Sequence, residues 1–493
     1  MLLLGLDLGT GSAKALLIDT YGIVRGEGVA PYPIHSPCPG WAESEPQDWW
    51  NACATAVRAA VGGRGASVAA LGLSGQMHGV VLSETTGRPL RPAVLWADAR
   101  SDEQLASYRK LDPRLLRKLA NPPAVGMAGP SLLWLRDNGP EAYRATRWAL
   151  QPKDWLRLRL TGEALSEPSD ASATLLYNLE ADRWSEAVVE ALGLRMDLLP
   201  PLVASGAPAG ALTPEAAGAL SLPAGLPVAA GAGDVAAALL GLGLLVPGPV
   251  QLTVGTGGQI VFPRESLVPD PRFRTHLYRA AHDRSSGRFY AMAAVQNVGL
   301  ALQWTLKVLK ASWEEAYREA FSVPPGAGGV TFLPYLSGER TPHFDPHARG
   351  AWVGLRLSHD RGHLLRAAFE GVAFVLREGL EALEEIGVRV TELRLAGGGT
   401  LREPWRGLLA GVLGRPLRPV PDAIAGSASA RGAALLAGIA AGVYRAAGDT
   451  LEIAPEPGEI ILPREGASYE AAYARYKEIY PWLYERSGDE SDI

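Results

Sequence analysis

"LLLGLDLGTGSAKALLID", residues 2 to 19, and "GPVQLTVGTGGQIVF", residues 248 to 262, are the two stretches from which the fold is read. Each is an apolar run, a Gly-Thr-Gly turn and a second apolar run of strand length, the pattern of an antiparallel hairpin. In the first, Leu2 to Leu6 reads as a strand and Ala13 to Ile18 as its partner; "DTYG" then leads to a third strand from Ile23, completing a meander. Gly9 and Gly255 open the two turns 246 residues apart, half of a 493-residue chain. A unit that recurs at half the chain length points to two domains of one kind facing each other. The length alone already exceeds one ordinary hydrophobic core. The boundary is expected near Leu242 to Pro249.

The segments around the hairpins fit an α/β architecture. "SEPQDWWNACATAVRAAVGG", from Ser44, reads as a helix with Ser44 as N-cap, Pro46 in the first turn and glycines at the stop. "ASVAALGLSG" then reads as a buried strand. In the second half come a long amphipathic helix over Leu364 to Glu385, a strand over Leu393 to Ala396 and a glycine triplet. "REPWRGLLAGVLG" and "ASARGAALLAGIAAGVY" follow as helices.

Composition excludes several classes. A net charge of -5 and the lack of any basic run give no reason to expect nucleic acid. Two cysteines, Cys38 and Cys53, cannot build a disulfide framework, which fits a reducing compartment. "MLLLGLDLGT" has no basic region and Asp7 ends its apolar run early, so no signal peptide is expected. Val235 to Pro263 carries no charge, but Pro247, Pro249 and repeated glycines break it into short elements rather than a membrane span. A cytoplasmic protein is expected.

Several residues carry candidate chemistry. In "AGAGDVAAALLG", Ala230 to Gly241, Asp234 is the one charged residue. On local grounds it reads as a helix N-cap or as a carboxylate opened to a cleft, since an isolated buried carboxylate is costly. Glycines in the two turns allow successive N–H groups to converge on a phosphate, with Thr10 and Thr256 adding hydroxyls and Ser12 and Lys14 following the first turn. No G-x-x-x-x-G-K-[ST] and no G-x-G-x-x-G occurs, which argues against a P-loop enzyme and a dinucleotide oxidoreductase. "HFDPH", His343 to His347, imitates a metal site, but Pro346 and the short spacing favour a structured loop. Mg²⁺ held by a carboxylate and nucleotide phosphates is the better expectation, with Asp7 placed for it or for bonding the adjacent turn. Gln76, Met77 and His78, bracketed by Gly75 and Gly79, form either a hairpin turn or a polar triplet projecting to a ligand, His78 then donating to a hydroxyl.

Taken in order, these segments resemble the FGGY carbohydrate kinases over essentially the whole chain. "GLDLGTGSAKALLID" is similar to the first phosphate loop and "LTVGTGG" to the second. "LGLSGQMHG" with "RPAVLWADAR" resembles the sugar segment of the family's xylulose-kinase branch, and "QPKDWLRLRLTGE" with "SDASAT" follow in the expected order. "GAGDVAAALLGLG" matches the segment carrying the catalytic aspartate. "FLPYLSGERTPHFDPHARGAWVGL" resembles the second-domain signature, and "LAGGGTLREPWRGLLAGVLGRPL" the adenosine loop.

The resemblance implies two actin-like, RNase H-type domains, 1–244 and 245–493, with ATP and a sugar in the cleft between them. It implies Asp234 as general base in contact with the sugar, Met77 and His78 as sugar contacts, and Asp7 as a Mg²⁺-associated carboxylate. Thr10, Gly11, Ser12, Lys14, Gly255 and Thr256 fall at phosphate-loop positions, and Gly398 and Gly399 at adenosine-loop positions. The implied reaction is phosphorylation of the terminal hydroxyl of D-xylulose. A kinase for another ketose or polyol is the alternative, and an actin-like ATPase without a sugar substrate the distant one. Sugar and ATP are the expected partners, without nucleic acid or membrane, for a monomer or homodimer. Three departures stand out: Val235 where the family commonly has Asn, "GTGG" where "GTSG" is usual, and Ser131 where many members have Lys.

Overall fold

The structure is a computed structural model that describes residues 1–281, 288–397, 402–464 and 466–485. In the first half, β1 (Leu2–Leu8), β2 (Ser12–Asp19) and β3 (Val24–Pro31) form an antiparallel meander. β1 is apolar almost throughout, and Leu3, Leu4, Leu6 and Leu8 are fully buried, as a strand covered on both faces requires. After α1 (Pro46–Val61), β4 (Val68–Gly75) pairs parallel to β1. The helices α2 (Pro152–Thr161) and α3 (Pro168–Ala171) follow. Next, β5 (Pro208–Ala211) and β6 (Pro227–Ala229) extend the sheet to the order β5-β6-β4-β1-β2-β3. A short strand, β7 (Ala232–Gly233), adds to the end of β4 and runs straight into α4 (Asp234–Gly241).

The second half repeats the plan. β8 (Pro249–Val254) and β9 (Gly258–Arg264) form the second Gly-Thr-Gly hairpin, followed by β10 (His276–Arg279), β11 (Phe289–Val295) and α5 (Gly299–Val308). The long helix α6 (Arg361–Glu385) precedes β12 (Glu392–Ala396); α7 (Glu403–Leu413), β13 (Leu417–Pro419) and α8 (Ala428–Ala440) complete the unit. The sheet order is β10-β11-β9-β8-β12-β13, with β8, β12 and β13 parallel. A three-strand meander joined on its first strand to parallel neighbours therefore occurs twice. The extra edge strand is β5 in one sheet and β10 in the other.

Small residues let the layers approach. A Cβ on Gly26 or Gly28 of β3 would overlap the Ala60 or Ala56 carbonyl of α1, and one on Gly5 or Gly72 would overlap Ala430 or Ala433 of α8. Thus α8, from the second half, packs on the sheet of the first. Gly432 of α8 meets the Ala237 carbonyl of α4 in the same way, so α4 and α8 cross with backbones nearly touching. One expected cap is not formed. Glu45, not Ser44, precedes α1 and caps nothing; Ser44 instead pairs with Ala93 in a two-residue ladder and donates to the Pro33 carbonyl at 3.3 Å. Pro46 at the helix start has no N–H, which removes one of the donors a cap would satisfy. Among the described residues no helix is long and apolar enough to cross a membrane.

Candidate active site

Strand register brings the two carboxylates together. Asp7 stands opposite Ser74 of β4 and Lys14 of β2, and the Ser74 hydroxyl donates to Asp7 Oδ1 at 2.6 Å. β7 pairs Ala232 with Ser74 and Gly233 with Gly75, so Asp234 leaves the sheet at that same end. Gly233 is the N-cap of α4, without a side-chain cap; Asp234 is the first helical residue, and its Oδ1 accepts from the Val235 N–H at 2.7 Å. Two effects oppose each other here. Amides at a helix start favour the carboxylate, whereas burial and the neighbouring Asp7 charge disfavour it. Burial and Asp7 win: the Asp234 carboxyl is pushed up to about 7. Burial also raises Asp7, against the pull of Ser74 and Lys14.

The first turn is held by its surroundings. Gly9 N–H donates to the Ser12 carbonyl at 3.1 Å, Tyr32 N–H to the Gly11 carbonyl at 3.1 Å, and the Tyr32 hydroxyl to the Gly9 carbonyl. Thr10 Oγ1 accepts from the Trp96 indole N–H at 2.9 Å. Ser12 opens β2 opposite Pro31, and Gly11 is exposed. Lys14 donates to the Gly426 carbonyl at 2.6 Å, tying the first hairpin to the second half. In the second turn the Gly255 and Thr256 carbonyls accept from Gly299 and Leu300 N–H at 2.9 and 3.0 Å, while Thr256 itself is exposed. The turn therefore lies against the start of α5, the positive end of a helix. Gly398 and Gly399 lie outside the described residues. Gly397, just before them, has φ 103°, and a Cβ there would overlap the Val254 carbonyl, which places Gly397 beside the start of the second turn.

The Gln76-Met77-His78 loop follows β4. Gln76 N–H donates to the Leu8 carbonyl at 2.9 Å, and its amide to the Gly9 carbonyl at 3.3 Å. Met77 packs on the residue before Asp234, since a Cβ on Gly233 would come within 2.9 Å of Met77 Cγ. Met77 Sδ lies 3.5 Å from the Tyr290 hydroxyl of the second half. His78 has φ 73°, and its Nδ1 is 2.8 Å from the Ala173 carbonyl. A carbonyl only accepts, so Nδ1 carries the proton. Burial, aided by Arg340, pushes the imidazole down to about 4, and the ring is neutral near pH 7. Nε2 is then an acceptor. The expectation has His78 donating to a hydroxyl; with the Nδ1 proton spent on the Ala173 carbonyl, the ring instead offers a ligand an acceptor at Nε2.

Three groups carry no role in the sequence reading. Behind Asp234, the Gly233 N–H donates to Ser169 Oγ at 3.0 Å, and Ser169 donates to Glu167 Oε1 at 2.8 Å. Glu167, Asp154 and Asp170 surround the Lys153 ammonium at 3.3, 2.7 and 3.1 Å, all fully buried, with Arg157 beside Asp154. The signal was available as charges on an otherwise apolar helix in "PKDWLRL". Trp96 is the second group, and the third comes from the other half. Tyr278 of β10 packs at 6.0 Å from the His78 ring, and Arg340 lies over Trp96 at 5.4 Å. His343 of the metal-like "HFDPH" stacks on Tyr480 at 3.6 Å.

A repeated hairpin fold, a carboxylate pair at the ends of β1 and β7 and a polar loop beside them set the context for comparison. Residues 2–241 match the N-terminal domain of the FGGY family of carbohydrate kinases, and residues 250–441 match its C-terminal domain. The chain belongs to the FGGY carbohydrate kinases. This FGGY kinase is 34% identical over 491 residues to the xylulose kinase of Escherichia coli (strain K12), covering 98% of each chain. It is 31% identical to that of Bacillus subtilis (strain 168), over 97% of this chain and 96% of the relative. The crystal structure of a xyloylose kinase from Brucella ovis superposes with a TM-score of 0.91 at 36% identity, covering 99% of this chain and all of the other. The fold is accordingly the two-domain, actin-like one of FGGY kinases, which phosphorylate sugars from ATP.

Proposed function

We propose that this FGGY kinase transfers the γ-phosphoryl group of ATP to the terminal hydroxyl of D-xylulose, with Asp234 as general base. The observation that carries the reading is the Asp7–Asp234 pair at the sheet end, beside the first Gly-Thr-Gly turn and against the Met77–His78 loop. The names of the full-length relatives support the sugar. We divide the chain at 244 and 245, which assigns the base and sugar loop to one domain and the second phosphate turn to the other, in a cytoplasmic enzyme.

Phosphoryl transfer asks for positioning and charge stabilisation more than covalent chemistry. The Asp234 carboxylate accepts the proton of the sugar hydroxyl as that oxygen bonds the γ-phosphorus and the bridging oxygen leaves with ADP. A base titrating near neutrality is suited to this task. Thr10, Gly11, Ser12 and Lys14 on one side, and Gly255 and Thr256 on the other, hold the phosphates, with Gly398 and Gly399 at the adenosine. His78 Nε2 accepts from a sugar hydroxyl, and Met77 supplies an apolar wall.

The residues fit Mg²⁺. Among the described residues neither Asp7 nor Asp234 makes an ion pair with a Lys, Arg or His; the Lys14 charge offsets Asp7 only in part, since burial still raises its carboxyl, and Asp234 is raised by burial and by Asp7. Asp7 would hold the ion together with nucleotide phosphates, and the ion would neutralise phosphate charge.

One observation favours a second reading. Val235 is only 7% exposed and brings no amide where relatives with Asn could reach the sugar, which would suit a ketose or polyol lacking one hydroxyl. A coupled ADP-release assay over ketoses, aldoses, polyols and glycerol tests both. D-xylulose is expected to lead; another sugar used ten times more efficiently would transfer the assignment to it.

A further inference from the structure

Three polar side chains of the second half face the sugar loop without partners of their own. His276 and Tyr278 lie on β10, stacked at 5.4 Å with an interplanar angle of 13°. Both are buried, and the Tyr278 hydroxyl and His276 Nδ1 have no hydrogen-bond partner among the described residues. The Tyr278 ring is 6.0 Å from that of His78 and 5.4 Å from that of Tyr290, whose hydroxyl meets Met77. Arg340, in the "GERTP" loop, lies over Trp96 at 5.4 Å. Among the described residues its guanidinium makes no ion pair or hydrogen bond, and its charge acts on Glu339, Tyr278, His78 and His276. Glu339 makes no bond to it: its Oε1 accepts from the Gln296 and Arg340 backbone N–H groups, and its Oε2 lies 3.5 Å from the Asn297 amide nitrogen.

Buried polar groups in folded proteins are almost always satisfied, so the orphaned Tyr278 hydroxyl and His276 Nδ1, beside a half-buried Arg340 that makes no bond of its own, mark where a ligand completes the bonding. The polarity of the two walls differs. His78 Nε2, from the first half, can only accept. Arg340 can only donate, and in a fixed planar fork. A hydroxyl suits the first. A carbonyl oxygen suits the second better than a hydroxyl does, because it presents lone pairs and no hydrogen that must be turned away.

We infer that Arg340, Tyr278 and His276 form the wall of the sugar pocket opposite His78, with Arg340 donating to the C2 carbonyl of an open-chain ketose and Tyr278 and His276 bonding the hydroxyl next to it. The inference rests on the sugar-kinase reading above and adds to it the recognition of the keto group. The preference for a ketose over its reduced polyol is then set by the second half, across the cleft from the base.

The test compares D-xylulose with xylitol and D-arabinitol, the two polyols that differ from it only by reduction at C2, in wild type, Arg340→Met and Tyr278→Phe. Arg340→Met is expected to lower kcat/KM for D-xylulose by about 10- to 100-fold and the polyol values by less than about 3-fold, collapsing the ketose preference. Where a polyol is not turned over, its inhibition constant against D-xylulose supplies the comparison. Tyr278→Phe keeps the stack and should raise KM for D-xylulose about tenfold with KM for ATP and the melting temperature unchanged. Equal losses on ketose and polyol in Arg340→Met, or unchanged sugar kinetics in Tyr278→Phe, would overturn the inference. If Arg340→Met does not fold, Tyr278→Phe decides alone. Wild type that phosphorylates no ketose would instead sink the functional reading, a result distinguishable from either.

Discussion

The side-chain amide of Asn121 makes both backbone hydrogen bonds of Leu277. Its Nδ2 donates to the Leu277 carbonyl at 2.8 Å, and its Oδ1 accepts from the Leu277 N–H at 2.9 Å. Asn121 belongs to the first half, and Leu277 to β10, the edge strand of the second sheet. The amide acts as a one-residue strand that closes this edge, with the Arg279 N–H joining in by donating to Ser172 Oγ at 3.0 Å. A cleft between the halves cannot open here without exposing these groups. β10, with His276 and Tyr278 on either side of Leu277, therefore stays with the sugar loop.

Replacing Asn121 with Leu keeps the volume and strips both partners from Leu277. An unsatisfied buried backbone group costs about 1–3 kcal/mol, so two should destabilise the enzyme by roughly 2–6 kcal/mol. Urea unfolding reads this directly. Sugar KM should rise in the folded variant while KM for ATP holds, since β10 carries the sugar wall proposed above. Unchanged unfolding midpoints would mean that water takes over the role of the amide.

Asp234→Asn should leave the fold intact and reduce kcat by at least about 10²-fold, the usual contribution of a positioned base. It should also stabilise the apoenzyme. With a folded-state pKa near 7 against an ordinary 3.8, Asp234 keeps, between about pH 4 and 7, a proton that the unfolded chain has already released. The carboxyl costs nothing below that window and its full amount above it. The gain in unfolding free energy of the Asn variant should therefore grow from pH 4 to 7 and level off at about 2 kcal/mol once water at the exposed edge of the group is allowed for. Wild-type turnover in the variant would leave Asp234 as an ordinary first-turn acid.

The same carboxyl sets the pH profile. The base must be ionised, so kcat/KM should fall about tenfold per pH unit below an acidic limb near 7 in the free enzyme. Asp7 is the second cause of that high value, and Asp7→Asn should move the limb to lower pH even as it lowers overall activity. A limb that stays in place would remove Asp7 from the electrostatics of the base.

Much of this was legible in the sequence because the deciding features are local. Gly9 to Gly11 and Gly255 to Gly257 fix two hairpins, and their spacing reveals the duplication. Asp7 and Asp234 are isolated charges in apolar runs, which is visible without coordinates. Long-range pairings were not legible. The buried Lys153 cluster depends on α2 and α3 converging behind β7, and nothing in the spacing of Lys153 and Asp170 declares it. Asn121 looks like a loop residue until Leu277, 156 positions later, arrives beside it. The direction of the His78 hydrogen bond depended on Ala173, whose carbonyl no side-chain pattern reports. Ser44 lost its cap for a similar reason, drawn into a ladder with Ala93 that the local helix signals do not contain.

His78 offers the sharpest test of the sugar site, because its two ring nitrogens can be separated. Nδ1 holds the Ala173 carbonyl and Nε2 is left to the ligand. Asn places an amide N–H near the position of Nδ1 and nothing at Nε2, and it tolerates the left-handed backbone that φ 73° imposes. His78→Asn should therefore fold with little change in melting temperature and lose the sugar contact, about 5- to 100-fold in kcat/KM for D-xylulose with KM for ATP unchanged. His78→Ala removes both bonds and pays an added strain at a positive φ, so it should match the Asn variant in sugar kinetics but melt lower. The neutral ring makes one more demand. Since its pKa is pushed down to about 4, His78 should add no limb of its own to the pH profile above pH 5, and the acidic limb should be the same in wild type and His78→Asn. Full sugar affinity in His78→Asn, or a limb that disappears with the imidazole, would show that the ring acts as something other than a neutral acceptor.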